Sequence, residues 1–377
     1  MASPIPLGIT QPMRNPLSKT TLVPNSFLID LFSTEAIRLA KCFALIIIAL
    51  MSKSSSGTET KSFTVSGWRE VLVSVSNLNR HQRFLKQIAG WENRYSGSLD
   101  KRQIEAWALE DSVSATEDLW ANEGDKSGFI RLVKFENVSQ DRIRPNDQAW
   151  DTGGIFDFNV RVKDLDKKFQ EMQSRGWWGY SNPHAFKFGK FHVTEWIARE
   201  ADGMAVALIQ RHLPKLEGWP NLREFSRTFN STQIVSNMEE SRRFYMDILG
   251  FKKYLYAKSK SSEDGQNVLG LPLNLAKSNE REIWILHPEG SNEGSVELLS
   301  FDGVIGRDFA SNAKPPNLGI FMLRFPVKGI DSLARHLATH NIYTDITAVS
   351  MPPYGQVKRF TIQSPNGSWL EFFEELN

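Results

Sequence analysis

The stretch Phe229–Gly250, FNSTQIVSNMEESRRFYMDILG, sets the pattern for most of the chain. Phe229 to Ser236 alternates with the period of a strand. Asn237 follows as a helix cap, with Glu239 and Glu240 in the first turn, where acidic side chains suit the positive end of a helix. Phe244, Tyr245, Ile248 and Leu249 fall on one face at helical spacing. Gly250 stands in the place of a C-cap, and Phe251 to Tyr256 reads as the next strand. Strand, helix and strand are joined almost without linkers.

The same sentence occurs four times, as a duplicated unit requires. The first copy opens with EVLVSVS (from Glu70), caps its helix near Asn77, ends it at Gly90 and closes with two strands before Glu136. The second opens with IFDFNVRV (from Ile155) and closes across the Asp202-Gly203 turn. The third closes around His287 and Glu297. The fourth opens with IFMLRFPV (from Ile320) and closes across Ser364-Pro365-Asn366-Gly367. Copies two and four align at their start without gaps: Gly154-Ile155-Phe156 matches Gly319-Ile320-Phe321, and Asp166 matches Asp331. Leu213 to Ser226, with Pro214, Gly218 and Pro220, is the best linker. The expected order is therefore a leader and linker over 1–62, a first domain over 63–212, the linker 213–226 and a second domain over 227–377.

Composition narrows the function. Over 377 residues the net charge is +2 with Lys and Arg scattered, so a nucleic-acid footprint is not expected. The single cysteine, Cys42, excludes an intramolecular disulfide framework and a multi-cysteine zinc site. The apolar run Cys42–Met51 is too short to span a bilayer, which takes about 20 residues. Three readings of the leader stay open: Met51 as the true start, a targeting segment, or an accessory helix. A cytoplasmic protein without a membrane partner is the expectation, with export or an organelle as the alternative if residues 1–51 are a targeting segment.

The motifs Val235-Ser236-Asn237-Met238-Glu239-Glu240 with Leu249-Gly250-Phe251, and Ser364 to Phe372, SPNGSWLEF, resemble the vicinal oxygen chelate superfamily. That superfamily includes glyoxalase I, bleomycin-resistance proteins and extradiol dioxygenases. The resemblance spans residues 66–376 and implies an α+β fold of four βαβββ modules, paired into two cup-shaped mixed-sheet domains. It also implies where metal ligands stand: on the first strand of a module, seven residues before the cap, and on the last strand. Those positions hold Glu70, Asp157, Asn230 and Met322, then Arg131, Ala207, Glu297 and Glu371. No histidine is among them, whereas extradiol-type iron sites use two His and one carboxylate.

The expectation is thus a superfamily member without the usual histidine-based metal site and with no cofactor, binding a small organic molecule in the C-terminal cup. Asn230, Glu297, Met322, Glu371 and His287 are its candidate ligand-binding residues. Glu371 is the candidate catalytic base for proton abstraction of the lyase or isomerase kind. Glu70, Arg131 and Asp157 are read as a structural polar cluster. Two alternatives stand beside this reading: a non-catalytic binding or resistance protein, and a lyase or dioxygenase dependent on a weakly held divalent metal at Asn230, Glu297 and Glu371. Cup-forming modules can also pair between chains, which leaves a homodimer open.

Overall fold

The computed structural model describes residues 62–261 and 265–376. The expected leader, with its apolar run, lies outside the described residues. Thr60–Asn377 forms one compact unit that contains all four modules. Among the described residues, no helix is long and apolar enough to cross a membrane.

After a short strand β1 (Thr64–Val65), module one comprises β2 (Glu70–Ser74), α1 (Leu78–Phe84), β3 (Glu92–Ser98), α2 (Lys101–Ala106), β4 (Ser114–Ala121) and β5 (Phe129–Glu136). Module two comprises β6 (Asp157–Arg161), α3 (Leu165–Gln173), β7 (Trp178–Gly179), β8 (His184–Phe188), β9 (Phe191–Arg199) and β10 (Ala205–Leu213). Module three comprises β11 (Asn230–Ile234), α4 (Met238–Arg243), β12 (Lys252–Ser259), α5 (Leu273–Ser278), β13 (Arg281–His287) and β14 (Ser295–Phe301). Module four comprises β15 (Gly319–Lys328), α6 (Ile330–Ala338), β16 (Thr347–Ser350), β17 (Gln356–Gln363) and β18 (Trp369–Glu375).

The helices begin where their cap residues stand. Asn77, Asp164 and Asn237 each accept a hydrogen bond from the backbone N–H three residues on, at 3.1, 3.0 and 3.1 Å. Module four has Gly329 at this position, in the left-handed region at φ +79°. There the carboxylate of Glu374 takes over, accepting from the N–H groups of Gly329 (2.7 Å) and Ile330 (3.0 Å).

In every module the first strand lies parallel to the last, and the remaining strands follow antiparallel outward. Modules then meet through antiparallel pairing of first strands: β2 with β15, and β6 with β11. The result is two nine-stranded mixed sheets, the paired cups of an α+β fold. Their membership corrects the sequential domains expected over 63–212 and 227–377. Modules one and four share one sheet, modules two and three the other, so each half of the chain gives one module to each sheet. The reason is local. The linker sets β11 down beside β6, the nearest free strand edge, and consecutive elements tend to be neighbours. Asn122 and Asp125 pin that linker, Asn122 donating to the carbonyl of Asn221 (2.8 Å) and Asn221 to Asp125 (2.9 Å). One hydrophobic core runs through all four modules, including Val71, Phe158, Tyr245 and Phe325.

Candidate functional site

The registers of the two sheets correspond position for position. Arg324 faces Glu70 on one side and Glu371 on the other; Thr232 faces Asp157 and Glu297 in the same way. Leu119 and Leu72 flank Arg131, as Ile197 and Asn159 flank Ala207. By the same counting Glu117 corresponds to Glu195, and Arg359 to Ile283. Each cup therefore carries three carboxylates at matched places: Glu70, Glu117 and Glu371 in one, Asp157, Glu195 and Glu297 in the other.

The cup of modules one and four is filled. Arg131 grips Glu70 through two hydrogen bonds of 2.7 and 2.8 Å and reaches Glu117 at 3.0 Å. Arg324 bonds Glu70 at 2.9 Å and Glu371 at 2.6 Å, and Arg359 holds Glu371 through Nε at 2.8 Å. Gln103, on α2, donates to Glu371 at 2.7 Å, and the Tyr354 hydroxyl donates to Glu70 at 2.6 Å. Burial alone would raise the pKa of Glu70, but Arg131 and Arg324 outweigh it and hold it at about 2. The same contest, won by Arg324 and Arg359, keeps Glu371 below the ordinary value. Paired guanidinium groups and three carboxylates make this a buried electrostatic cluster, as buried charges require.

The cup of modules two and three is open. Its three carboxylates line a cavity of about 180 Å³, and the positions of the three arginines hold Ala207, Thr232 and Ile283. None of Asp157, Glu195 and Glu297 makes an ion pair among the described residues, and Asp157 Oδ1 is buried with no hydrogen-bond partner. Burial pushes Asp157 up to about 7 against hydrogen bonds from Thr232. Burial, with Asp157 nearby, pushes Glu195 to about 8 against the pull of Arg161. Glu297 rises to about 8 through burial and the other two carboxylates.

Arg161 and Arg211 line the same cavity, each four residues along its strand from Asp157 or Ala207, roughly 13 Å. Among the described residues neither makes an ion pair, and Nε of each is buried without a partner. Aromatic rings support them instead. The Arg161 guanidinium lies 4.4 Å from the Phe229 ring centre and 5.9 Å from that of Trp219, and Arg211 lies 4.2 Å from Phe191. Burial, then repulsion from Arg211, brings Arg161 down to about 10.

The expected C-terminal site is thereby divided. Asn230 and Glu297 are in the open cup; Glu371 is in the filled one, and Met322 packs beneath it among Leu72 and Phe321. Asn230 is engaged on both sides, accepting from Asn159 (2.9 Å) and donating to Ser295 (2.9 Å). His287 is buried and organises a turn, its Nδ1 accepting from the N–H groups of Glu289 and Ser291 at 2.9 and 3.1 Å. Of the expected polar cluster, Glu70 and Arg131 are bonded, while Asp157 belongs to the other sheet. Glu117, Glu195 and the two cavity arginines were missed. For the two acids the signal was in the repeat: Thr116-Glu117 and Thr194-Glu195 place the same pair on corresponding strands of modules one and two.

Among the described residues, the one group of three His, Cys, Asp or Glu side chains whose ligand atoms lie within 4.8 Å of one another is His81, Glu200 and Asp202. Arg80 already pairs with both carboxylates, at 3.0 Å from Glu200 and 2.7 Å from Asp202. The carboxylates also accept from the N–H groups of Ser76, Asp202 and Met204. This geometry is that of an ion-paired clasp between modules one and two.

A family model described as the Glyoxalase/Bleomycin resistance protein/Dioxygenase superfamily matches residues 228–372. Modules three and four therefore match this superfamily by sequence. Glyoxalase I from Zea mays has the same fold, with a TM-score of 0.54 at 16% identity over 84% of this chain and 94% of that one. A putative dioxygenase from Bacillus subtilis has a TM-score of 0.50 at 10% identity, over 83% and 86% of the two chains. No curated protein matches the sequence significantly. At such identities the likeness is one of fold, and function has to come from the site itself.

Proposed function

We propose that the protein binds a small organic molecule in the cup of modules two and three and moves a proton on it, in the manner of a lyase or isomerase. The observation that carries this reading is the set of three uncompensated carboxyl groups around one cavity. Carboxyl groups with values of about 7 and 8 hold and release protons near neutral pH, as a general base or acid must. Glu297 takes the place expected for Glu371, which Arg324 and Arg359 make a weak base. Arg161 and Arg211 would anchor an anionic group of the ligand, between Phe229 and Phe191.

The superfamily implies a divalent metal, and oxygen donors suit hard ions. The donors of the open cup do not converge as such an ion needs: Asp157, Glu195 and Glu297 do not bring their oxygens within 4.8 Å of one another, and Asn230 is already bonded. Proton transfer therefore falls to the carboxyl groups themselves.

The test is a thermal-shift screen of small carboxylates that carry a carbonyl group, since a ligand bound to the native state raises the melting temperature. A hit should lose its effect in Arg161→Met. In D₂O the bound hit should take up deuterium beside its carbonyl, and Glu297→Gln should stop this. Binding without exchange would leave a non-catalytic binding protein; hits unaffected by Arg161→Met would place the ligand elsewhere.

A further inference from the structure

The filled cup serves as a template for the open one. Its three carboxylates are ion-paired with three guanidinium groups, from Arg131, Arg324 and Arg359. The open cup has carboxylates at the corresponding places, and Ala207, Thr232 and Ile283 stand where the three cations would be. Each replacement is shorter than arginine, and the space between the acids is the cavity.

From this correspondence we infer that the ligand of the open cup carries an organic cation, a guanidinium or amine, which sits among Asp157, Glu195 and Glu297 where the filled cup places its own arginines. The inference rests on the ligand-binding reading above and adds the chemical class. With the anionic group at Arg161 and Arg211, the ligand is bipolar: positive at one end, negative at the other, with an apolar body along the aromatic wall.

Two further points favour a molecular cation over a metal ion. In the filled cup the positive charge is spread over three places between strands rather than concentrated at one. In the open cup the acidic oxygens are likewise spread, not gathered around a single point. Planar N–H donors bridge separated carboxylates, whereas a small ion requires them to converge. Burial raises the proton affinity of all three acids, and no arginine stands at the matched places to offset it.

The test uses 4-guanidinobutanoate and its uncharged-end isostere 6-methylheptanoate, with Mg²⁺, Mn²⁺ and Zn²⁺ as a separate arm. The guanidino compound should raise the melting temperature at millimolar concentration and bind about tenfold tighter than the isostere. Thr232→Arg should rebuild the pairing of Arg324, raise the melting temperature of the free protein and abolish the response to the probe. Ile283→Arg serves if Thr232→Arg does not fold, and Thr232→Val, which adds no charge, should retain the response. Equal binding of the two compounds would overturn the cation while leaving the cavity as a ligand site. Binding of neither would overturn both readings. A stoichiometric metal that is lost in Glu297→Gln would overturn the organic cation in favour of an ion.

Discussion

Arg324 on β15 holds Glu70, 254 residues earlier in the chain, at 2.9 Å, and holds Glu371 on the neighbouring strand at 2.6 Å. All three side chains are fully buried. Removing the guanidinium in Arg324→Met would leave two carboxylates short of a cation in the protein interior. Breaking a buried pair from one side costs about 3–5 kcal/mol. Urea unfolding of the variant should show a loss of that order, with part of it recovered on adding Glu70→Gln. A loss within ordinary surface values would mean that water reaches this cluster.

Glu70 in the filled cup and the three acids of the open cup should respond to pH in opposite directions. Asp157, Glu195 and Glu297 bind protons more tightly folded than unfolded, so their contribution is full near and below the ordinary values of 3.8 and 4.5. It is lost as pH rises through about 7 and 8. Glu70, held at about 2, contributes above 4.5, and that contribution is lost as pH falls toward 2. Urea midpoints should therefore fall on the alkaline side, and fall less in Glu297→Gln. An unchanged slope in that variant would place the titrating groups elsewhere.

Gly128 marks a close crossing of the chain. Its φ is +71°, and a Cβ there would lie 2.0 Å from the carbonyl oxygen of Thr228, to which its own carbonyl is tied by a 3.1 Å hydrogen bond from the Thr228 N–H. Gly128→Ala should cost more than about 1 kcal/mol, since the backbone can neither relax its φ nor move aside. Gly189→Ala, at φ +57° with nothing within 4 Å, should cost less by the same thermal-denaturation measurement.

The clasp of His81, Glu200 and Asp202 should hold no metal, because Arg80 already occupies both carboxylates. His81→Gln should leave the metal content of the purified protein unchanged by elemental analysis. A stoichiometric metal lost in that variant would show that Arg80 moves aside for it.

The modules were legible because each is written locally. Cap residues such as Asn237, apolar faces at helical spacing and closing turns all lie within one βαβββ unit, and four copies corroborate one another. Which modules share a sheet is not local. It depends on the free edges of β2 and β6, and nothing in the alternation of either strand names its partner. That is why Glu371 was grouped with Glu297, although they lie in different sheets. The ion pairing of Glu70 with Arg131 was legible, since both belong to module one. The open cup depends on what stands opposite each acid, and Ala207, Thr232 and Ile283 are unremarkable until their counterparts Arg131, Arg324 and Arg359 are set beside them.

The nesting of module pairs also bears on how a nascent chain matures. Modules two and three can complete their sheet while synthesis continues, whereas β2 must wait for β15 and for Arg324. During that interval β2 presents a bare edge and Glu70 has only the cations of its own module, the condition in which strands recruit improper neighbours. A fragment stopping at residue 212 would leave both β2 and β6 in that state. The fourth module to leave the ribosome is therefore the one that secures the first.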